Sequence, residues 1–403
     1  MKRVHPDEPR TEVRTLGLSL LTLLLLTGEP SSSPLVTGTD SFEAPFSDAL
    51  FLELKGFKGF SIREFNRADG FLPTFQLGIR SLEEEKYPSA SLSLSYSIER
   101  ERAGWKATIG KPFQGWGDFR TSLDAYRLTE TNDRWRISDL ENSIAAFMFK
   151  EDFRNYYETE GFRLSAEMGL GDFHRVTMAY VDQHIRSLGA NEPFTLFGWA
   201  KEFRENPPVS EGEERKILFE WTYDTRDNIR FPRRGWHATL SYETCPAGLH
   251  GDFAYRLLTA QLRRYRIVFG DQSLNFRLAM ALSGNSPPAH RRFTIGGVGT
   301  LRGFPDLSDA GENFLMGNAE YRCPIRWLTW KPLRLVFNEI QGLLFFDIGD
   351  AWSEGGEAGQ LRSDIGLGIS GANIFSYFGL YIAQGLESPW RDPRVTVKME
   401  REF

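Results

Sequence analysis

The chain has 403 residues and a formal net charge of −6, and its mean hydropathy is negative. No global basic field favours nucleic acid as a partner, and two cysteines without a Cys/His cluster argue against a metal or another cofactor. The G-x-S-x-G, HExxH and P-loop patterns are absent, which predicts a protein that is not an enzyme. A hydrophilic average still allows a membrane β-barrel, because barrel strands alternate apolar and polar residues.

The N-terminal residues have the composition of a secretory signal peptide. Basic residues come first, the apolar run LGLSLLTLLLL follows at 16–26, and a polar, turn-forming stretch comes next. The apolar run is shorter than the ~20 residues that a transmembrane helix needs, and a buried core helix is the alternative interpretation. We predict a signal peptide over residues 1–30, a short N-terminal segment over 31–50 and one barrel domain over 51–403.

After residue 50 the sequence repeats short segments in which apolar and polar residues alternate. In SASLSLSYSIER, Leu92 and Leu94 share one face while Ser93 and Ser95 share the other. Because side chains of a strand point alternately to its two faces, a period of two indicates strands. Sixteen such segments are predicted, at 57–66, 71–81, 89–99, 104–113, 118–129, 161–170, 173–182, 215–226, 234–244, 253–267, 272–283, 313–322, 341–350, 362–371, 377–385 and 393–403.

The links between these segments differ in length according to their parity. Most links after even-numbered strands are short, whereas long links follow odd-numbered strands at 130–160, 183–214 and 284–312. Short turns on one rim and long loops on the other are typical of bacterial outer-membrane barrels. The predicted fold class is therefore all-β, a transmembrane antiparallel β-barrel of sixteen strands.

Two segments depart from this pattern. Residues 134–157 lose the period of two and carry apolar residues at helical spacing, so we predict a helix inside a long loop, capped by Ser138 or Asp139. Residues 323–340 are long, basic and rich in tryptophan, although they follow an even-numbered strand. An interfacial segment lying against lipid headgroups is predicted there.

The final strand indicates which face meets lipid. Val395 and Val397 lie on one face, which suits lipid, and Lys398 lies on the other, which suits a wet lumen. A barrel of sixteen strands has a lumen too wide for the wall's own side chains to fill, so the lumen is either plugged or a pore. The same strand map places Cys245 and Cys323 at opposite rims, which argues against a disulfide.

Five motifs occur in order along the second half of the chain: WTYDTRDNIRFPRRGW (221–236), GGVGTLRGF (296–304), GNAEYRCPI (317–325), FFDIGDAW (345–352) and SDIGLGI (363–369). Their order and spacing resemble the BamA/TamA family of outer-membrane assembly proteins, also described as the bacterial surface antigen family. FNRADGF (65–71) is similar to the barrel start of members with little or no N-terminal extension. The terminal Phe403 resembles the C-terminal signal of barrels that the assembly machinery recognises.

The resemblance assigns the glycine-rich stretch to the family's sixth extracellular loop, which inserts into the lumen. Its core residues here are Arg302, Gly303 and Phe304, and the arginine is expected to meet carboxylates on the inner wall. Alternation places Glu320 and Asp347 on polar faces of neighbouring strands, where both can accept hydrogen bonds from one guanidinium. The alternatives are a surface loop with a solvated arginine and a phosphate cradle, although no helix or GK(S/T) follows. Positive φ is expected at the loop's glycines 296, 297, 299 and 303.

The motif at 221–236 corresponds, by the same resemblance, to a periplasmic turn. A charged cluster precedes the turn, and a proline and a glycine shape its far side. We interpret these residues as turn chemistry that stabilises the barrel floor without a part in transport. They are Asp224, Arg226, Asp227, Asn228, Pro232 and Gly235.

The resemblance also implies a function. Assembly factors of this family normally carry periplasmic POTRA domains that receive clients, and no room for one is expected ahead of the barrel. We expect an integral protein of the Gram-negative outer membrane that assists insertion or translocation of proteins, through a weak seam between its first and last strands. Expected partners are outer-membrane lipid, unfolded outer-membrane protein clients and a separate periplasmic delivery partner. A pore gated by the Arg302 loop and a structural surface barrel are the alternatives.

Overall fold

The computed structural model describes residues 42–47, 50–55, 60–81, 87–113, 118–198, 200–229, 231–326, 337, 339–353, 359, 361–372, 377–387 and 392–399. The predicted signal peptide and the terminal Phe403 lie outside these ranges, as do residues 327–336 of the predicted interfacial segment. The described residues include no helix that is long and apolar enough to cross a membrane.

Within the described residues there are twenty strands and one α-helix. The helix, α1, spans Asp139–Phe149. The strands are β1 Phe42–Ser47, β2 Leu50–Leu54, β3 Phe60–Asn66, β4 Gly70–Ser81, β5 Ser89–Ser97, β6 Arg102–Phe113, β7 Phe119–Glu130, β8 Tyr157–Leu170, β9 His174–Ser187, β10 Gly212–Asp224, β11 Gly235–Thr244, β12 Arg256–Phe269, β13 Gln272–Gly284, β14 Phe293–Ile295, β15 Asp309–Gly311, β16 Asn313–Pro324, β17 Glu339–Trp352, β18 Arg362–Ala372, β19 Tyr377–Gly385 and β20 Arg394–Lys398.

Eighteen of these strands form one antiparallel sheet, and β14 pairs with β15 in a separate hairpin. From β4 onward each strand pairs with the next one in the sheet, and β13 pairs with β16 across the β14–β15 hairpin. Both β2 and β3 pair with β4, β2 along its second half and β3 along its first half. If β2 and β3 count as one position, the described sheet has sixteen positions from β2 to β20, and β1 adds a further strand beside β2.

The first strand differs from its prediction. A single strand at 57–66 is wrong, because this position is divided between β2 and β3. β4 is twelve residues long, and its two halves accommodate two short partners lying end to end. The sheet also begins at Phe42, ahead of the predicted domain boundary at residue 51.

The two faces of the sheet follow the predicted alternation. On β5, Leu94 and Tyr96 are 45% and 47% exposed, whereas Ser97 is buried. On β20, Val395 is 66% exposed and Lys398 is buried. Apolar residues therefore cover the outer face, and polar residues face the interior, as a barrel wall in lipid requires.

Loop lengths also follow the predicted parity. The long connections at 131–156, 188–211 and 285–312 leave one rim, and links such as 171–173 and 270–271 close the other. The predicted helix is present as α1, and Ser138 is its N-cap, accepting a hydrogen bond from Glu141 N at 3.2 Å. The helix ends at Phe149, because Lys150, with a φ of 57°, forms a left-handed C-cap.

The long loops pack inside the barrel against its inner wall. One buried cluster joins the 285–312 loop to β12, β13 and β16, and another joins α1 and the 188–211 loop to β3. A third cluster lies on the inner faces of β17 and β19. Both cysteines are free: Cys245 follows β11 at the long-loop rim, and Cys323 lies near the other end of β16. The lumen is therefore plugged by the protein's own loops.

Candidate functional site

Residues 285–312, here called loop six, bring the glycine-rich motif into the barrel. The β14–β15 hairpin supports the loop, and Gly296, Gly297 and Gly299 at its tip have φ values of 104°, 76° and 81°. Positive φ at these three positions makes the tight inward fold accessible without the penalty that a side chain would bring. Leu301 and Phe304 are fully buried in the cluster on the inner wall.

Arg302 lies at the inner end of this fold and binds two carboxylates. Its Nε and Nη2 donate to the two oxygens of Asp347 at 2.7 and 2.8 Å, and its Nη1 donates to Glu320 Oε1 at 2.6 Å. All three side chains are at most 1% exposed. The guanidinium carbon also lies 3.5 Å from the ring centroid of Phe345. The structure thus brings together Arg302, Glu320 and Asp347 in the bidentate geometry that favours an arginine over a lysine.

A second arginine extends this network, and sequence reasoning did not assign it. Arg322 Nε donates to Glu320 Oε2 at 2.9 Å, so Glu320 is shared between two guanidiniums. Arg322 Nη1 donates to Tyr377 Oη at 3.2 Å, and Tyr377 Oη lies 2.7 Å from Tyr381 Oη. The alternation of GNAEYR already placed Arg322 on the same face as Glu320, which is the signal that points to it.

Asn318 connects the same network to the backbone of loop six. Its Nδ2 donates to Thr300 O at 2.8 Å and to Asp347 Oδ1 at 2.9 Å. Asp364, which sequence reasoning also missed, is the register partner of Asp347 on the neighbouring strand and is fully buried. Asn318 and Asp347 fix one orientation of the loop, because their hydrogen bonds to Thr300 and Arg302 would be lost in another.

Gly303 is needed for a reason other than the predicted one. Positive φ was expected there, but Gly303 is not among the described glycines with positive φ. A Cβ at this position would lie 2.6 Å from Asp364 Cβ and 2.9 Å from Gly385 N, so close packing excludes a side chain. The neighbouring residue Phe304 packs against Gly385 as well, because a Cβ on Gly385 would lie 3.2 Å from Phe304 Cζ.

The motif at 221–236 folds as a compact turn between β10 and β11. Arg226 pairs with Asp224, with Nη2 donating to Oδ2 at 2.6 Å. Asp227 Oδ1 accepts from the backbone N of Arg233 and Arg234 at 2.9 and 3.1 Å, and Asn228 Oδ1 accepts from Phe231 N at 2.8 Å. These side chains therefore form their hydrogen bonds and ion pair with groups of the same turn. This arrangement supports the interpretation that they stabilise the turn.

Two further residues shape the far side of this turn. Pro232 is buried, and Gly235 has a φ of 111°. A Cβ at Gly235 would lie 2.2 Å from Thr225 O, so the chain passes too close there for any side chain. Glycine is therefore required on both conformational and steric grounds.

Asp227→Ala is expected to lower stability by only about 1 kcal/mol, because Asp227 is exposed and its two hydrogen bonds can be replaced by water. We expect transport or insertion activity to be unchanged. Thermal unfolding in detergent and the activity assay proposed below check this result. A loss of activity at wild-type stability would contradict turn chemistry and assign the turn a functional role.

The FNRADGF motif forms the turn between β3 and β4 and is buried under two loops. Arg67 is fully buried, and its Nη1 lies 3.3 Å from Asp152 Oδ1. Its Nη2 donates to Asn206 Oδ1 at 3.0 Å, and its carbonyl accepts from Asn191 N at 2.8 Å. Arg67 thus holds the 131–156 and 188–211 loops over the start of the barrel, a role that no local pattern in the sequence indicates.

Helix α1 contacts both ends of the described sheet. On one side Ser143 Oγ accepts from Phe65 N in β3 at 3.0 Å, and the rings of Phe147 and Phe65 lie 5.3 Å apart. On the other side Glu141 Oε2 lies 3.4 Å from Lys398 Nζ in β20, and Glu141 Oε1 accepts from Met399 N at 2.8 Å. One helix therefore joins β3 near one end of the described sheet to β20 at the other end from inside.

The start of α1 is held by charge. Arg134 Nε lies 3.1 Å and Arg154 Nη1 lies 2.5 Å from Asp139 Oδ1. Burial raises the pKa of Asp139, but the two guanidiniums outweigh burial and lower that pKa to about 2. The carboxylate therefore remains charged and paired until the pH falls toward 2, so the anchor of α1 is present at physiological pH.

An antiparallel sheet with an apolar outer face, a plugged lumen and long loops on one rim defines an integral outer-membrane β-barrel. The Omp85 superfamily domain matches residues 87–381. The chain belongs to the Omp85 superfamily, with a barrel of the BamA/TamA type, and is located in the Gram-negative outer membrane.

The fold is similar to that of a solved BamA structure, and a second structure is similar at a lower score. BamA from Haemophilus ducreyi lacking POTRA domains 1–3 superposes with a TM-score of 0.59 at 11% identity, over 99% of this chain and 80% of that chain. CdiB from Acinetobacter baumannii gives a TM-score of 0.42 at 14% identity, over 87% of this chain and 59% of that one. No curated protein sequence matches this chain.

Proposed function

We propose that this barrel assists the insertion or translocation of proteins at the outer membrane by opening at its seam, the junction between β20 and the β1–β3 end of the sheet. The observation that carries the proposal is the pair of contacts from α1 to Phe65 and to Lys398. In the described part of the chain, β20 pairs over five residues with β19 and with no strand at the other end of the sheet. A strand edge of this kind offers main-chain hydrogen bonds to an incoming strand.

The contacts of α1 make it a restraint on this seam. Glu141 and Lys398 are each 5% exposed, so their ion pair is poorly screened by water. Opening the seam requires α1 to release either Lys398 and Met399 or Phe65. Release from β20 breaks one ion pair and one hydrogen bond, whereas release from β3 breaks one hydrogen bond and takes apart the buried apolar cluster around Phe65 and Phe147. Because water can replace the partners of an ion pair and a hydrogen bond but not those of an apolar cluster, α1 is expected to release β20 first.

Unfolded outer-membrane proteins are the clients that fit such an edge, since they are extended and need strand partners to leave water. Lipid is the second partner, because large apolar side chains are exposed on the outer face of most strands of the described sheet. A separate periplasmic protein is expected to deliver clients to the short-turn rim. Folding of a small unfolded outer-membrane barrel into liposomes that contain the purified protein tests the function. Faster folding than in empty liposomes is expected, and an unchanged rate would overturn the insertase proposal.

Glu141→Ala and Lys398→Met are expected to raise the rate of client folding, because Glu141→Ala removes both contacts of α1 with this end of the chain and Lys398→Met removes the ion pair. A hydrogen bond to a charged group contributes about 1.5–3 kcal/mol, so the open population is expected to rise by roughly 10- to 150-fold. Photo-crosslinks from positions 394–399 to the client should increase in parallel.

Lys216→Met is the matched control. Lys216 is also a lumenal lysine, 8% exposed and paired with Glu214, but it lies on β10, away from the seam. We expect no increase in crosslinks from this variant. Equal crosslinking in all four proteins, including the wild type, would show that α1 does not restrain the seam.

A pore is the second candidate, and the position of loop six across the lumen favours it. Arg302 and its carboxylates are buried, so the loop closes the channel that a sixteen-position barrel would otherwise leave. This function predicts single-channel conductance that is low in the wild type and rises in Arg302→Ala. A structural barrel predicts neither conductance nor client folding, so the two assays separate all three functions.

A further inference from the structure

A groove on the lipid-facing side of the barrel lies where β16 carries two small residues. Gly317 and Ala319 share the outward face of this strand. The groove has a volume of about 430 Å³, which is within the range of small-molecule sites. Its walls are large apolar side chains of the neighbouring strands in register: Phe276, Leu278, Phe346 and Ile348.

One end of this groove is cationic. Arg264 lies on the outward face of β12, because it alternates in step with Leu262, which is 39% exposed. The next residue, Tyr265, points to the other face and is buried. The guanidinium carbon of Arg264 lies 4.6 Å from the ring centroid of Trp236, and its Nη1 donates to Gly235 O at 3.3 Å. These partners orient the guanidinium, but neither a carbonyl nor a ring neutralises its charge.

The cationic end lies at the short-turn rim. Arg264 and Arg266 share the outward face, and β12 ends at Phe269, just before its two-residue link to β13. Leu278 and Ile348 lie farther along their strands from that rim. The groove is therefore charged at the depth of the headgroups and apolar toward the bilayer centre, and Trp236 lies where tryptophans favour the membrane interface.

We propose that this groove binds one anionic glycerophospholipid from the leaflet on the short-turn side. The phosphate lies at Arg264 and Arg266, because a guanidinium binds phosphate oxygens through two parallel hydrogen bonds. One acyl chain follows the small residues Gly317 and Ala319 into the bilayer. The order of charge and apolar surface along the groove matches the order of headgroup and chain in the lipid, and an isolated lipid-facing arginine is otherwise costly in a barrel.

Native mass spectrometry of the purified barrel, after removal of its lipids and addition of phosphatidylglycerol, tests this site. Arg264→Gln removes the charge. Gly317→Leu fills the groove, and a Cβ there meets only Ile348 Cγ2 at 3.5 Å and a backbone oxygen at 3.9 Å, so the strand is expected to tolerate it. Arg256→Gln is the matched control, because Arg256 lies on the same strand and face at the opposite rim.

We expect both site variants to bind the first phosphatidylglycerol roughly tenfold more weakly than the wild type, and the control to bind it equally. Unheated gel mobility verifies that each variant is folded. Equal affinity in all four proteins would overturn the site. Equal retention of diacylglycerol, which has the chains but no phosphate, would overturn the role of Arg264, and preferential retention of lipid A would assign the groove to a different lipid.

Discussion

Arg302→Ala is expected to lower the stability of the folded barrel by about 3–5 kcal/mol, because it leaves a buried charge without its partner. Asp347 receives two hydrogen bonds from Arg302 and lies opposite Asp364, so it loses its charged partner beside another carboxyl group. Glu320 is less affected because Arg322 still binds it. The temperature at which the barrel loses its compact mobility on an unheated gel measures this change.

Two companion variants identify the cause. Arg302→Lys keeps the charge but loses the bidentate geometry, so partial rescue is expected. Asp347→Asn in the Arg302→Ala background removes the orphaned carboxylate and is expected to recover part of the loss. Arg120→Ala is the control, since Arg120 and Asp118 form an exposed pair whose loss should change stability by less than about 1 kcal/mol. If wild type, Arg302→Ala and Arg302→Lys unfold at one temperature, loop six is not held by this arginine.

Gly299→Ala is expected to lower stability by about 2–5 kcal/mol for two separate reasons. Its φ of 81° imposes a backbone cost of about 1–2 kcal/mol on alanine. Its Cβ would also lie 2.0 Å from the carbonyl oxygen of Arg136, a backbone atom that cannot rotate away, and overpacking of this kind costs about 1–3 kcal/mol more. The change is expected to push loop six away from the 131–156 loop. In the wild type, Arg277 on β13 also holds this point of the loop, because its Nη1 donates to Gly299 O at 3.0 Å.

Gly171→Ala separates these two costs. Gly171 has a φ of 67°, but a Cβ there meets nothing within 4 Å, so only the backbone term applies and about 1–2 kcal/mol is expected. Guanidinium unfolding in detergent, followed by tryptophan fluorescence, gives both values. Equal losses from the two substitutions would mean that loop six does not rest on Arg136.

A fully active Gly299→Ala protein with a displaced loop would be informative about function. Loop six and α1 meet through the 131–156 loop, so displacement at Gly299 is expected to reach the restraint on the seam. The insertase proposal predicts altered client folding in this variant, whereas the pore proposal predicts altered conductance. Measurement of both on one preparation therefore relates the stability of the lumen plug to the activity of the barrel.

The sequence by itself determined most of the strands from β4 onward, their faces and the parity of the loops, because a period of two is a local property that the backbone imposes on every strand. It did not determine β1, the division into β2 and β3, or the short β14–β15 hairpin, because these pairings depend on contacts across the sheet. It also identified Arg302, Glu320 and Asp347, since the family's motif order names the loop and the alternation of each strand gives the direction of each carboxylate. The end of α1 at Lys150, by contrast, depends on a left-handed residue that helical periodicity does not reveal.

The tertiary structure decided which residues from distant parts of the chain meet inside the curved sheet. Glu141 and Met399 are 258 positions apart, and Arg67 and Asn206 are 139 apart, so no window of sequence relates them. The need for glycine at position 303 arises from Asp364 on β18 and Gly385 on β19, both more than sixty positions further along the chain. Such contacts depend on how far the sheet curls and how deeply its loops enter, which are properties of the whole wall. Local alternation fixes only the direction of each side chain, and the partner that it meets is set by the barrel.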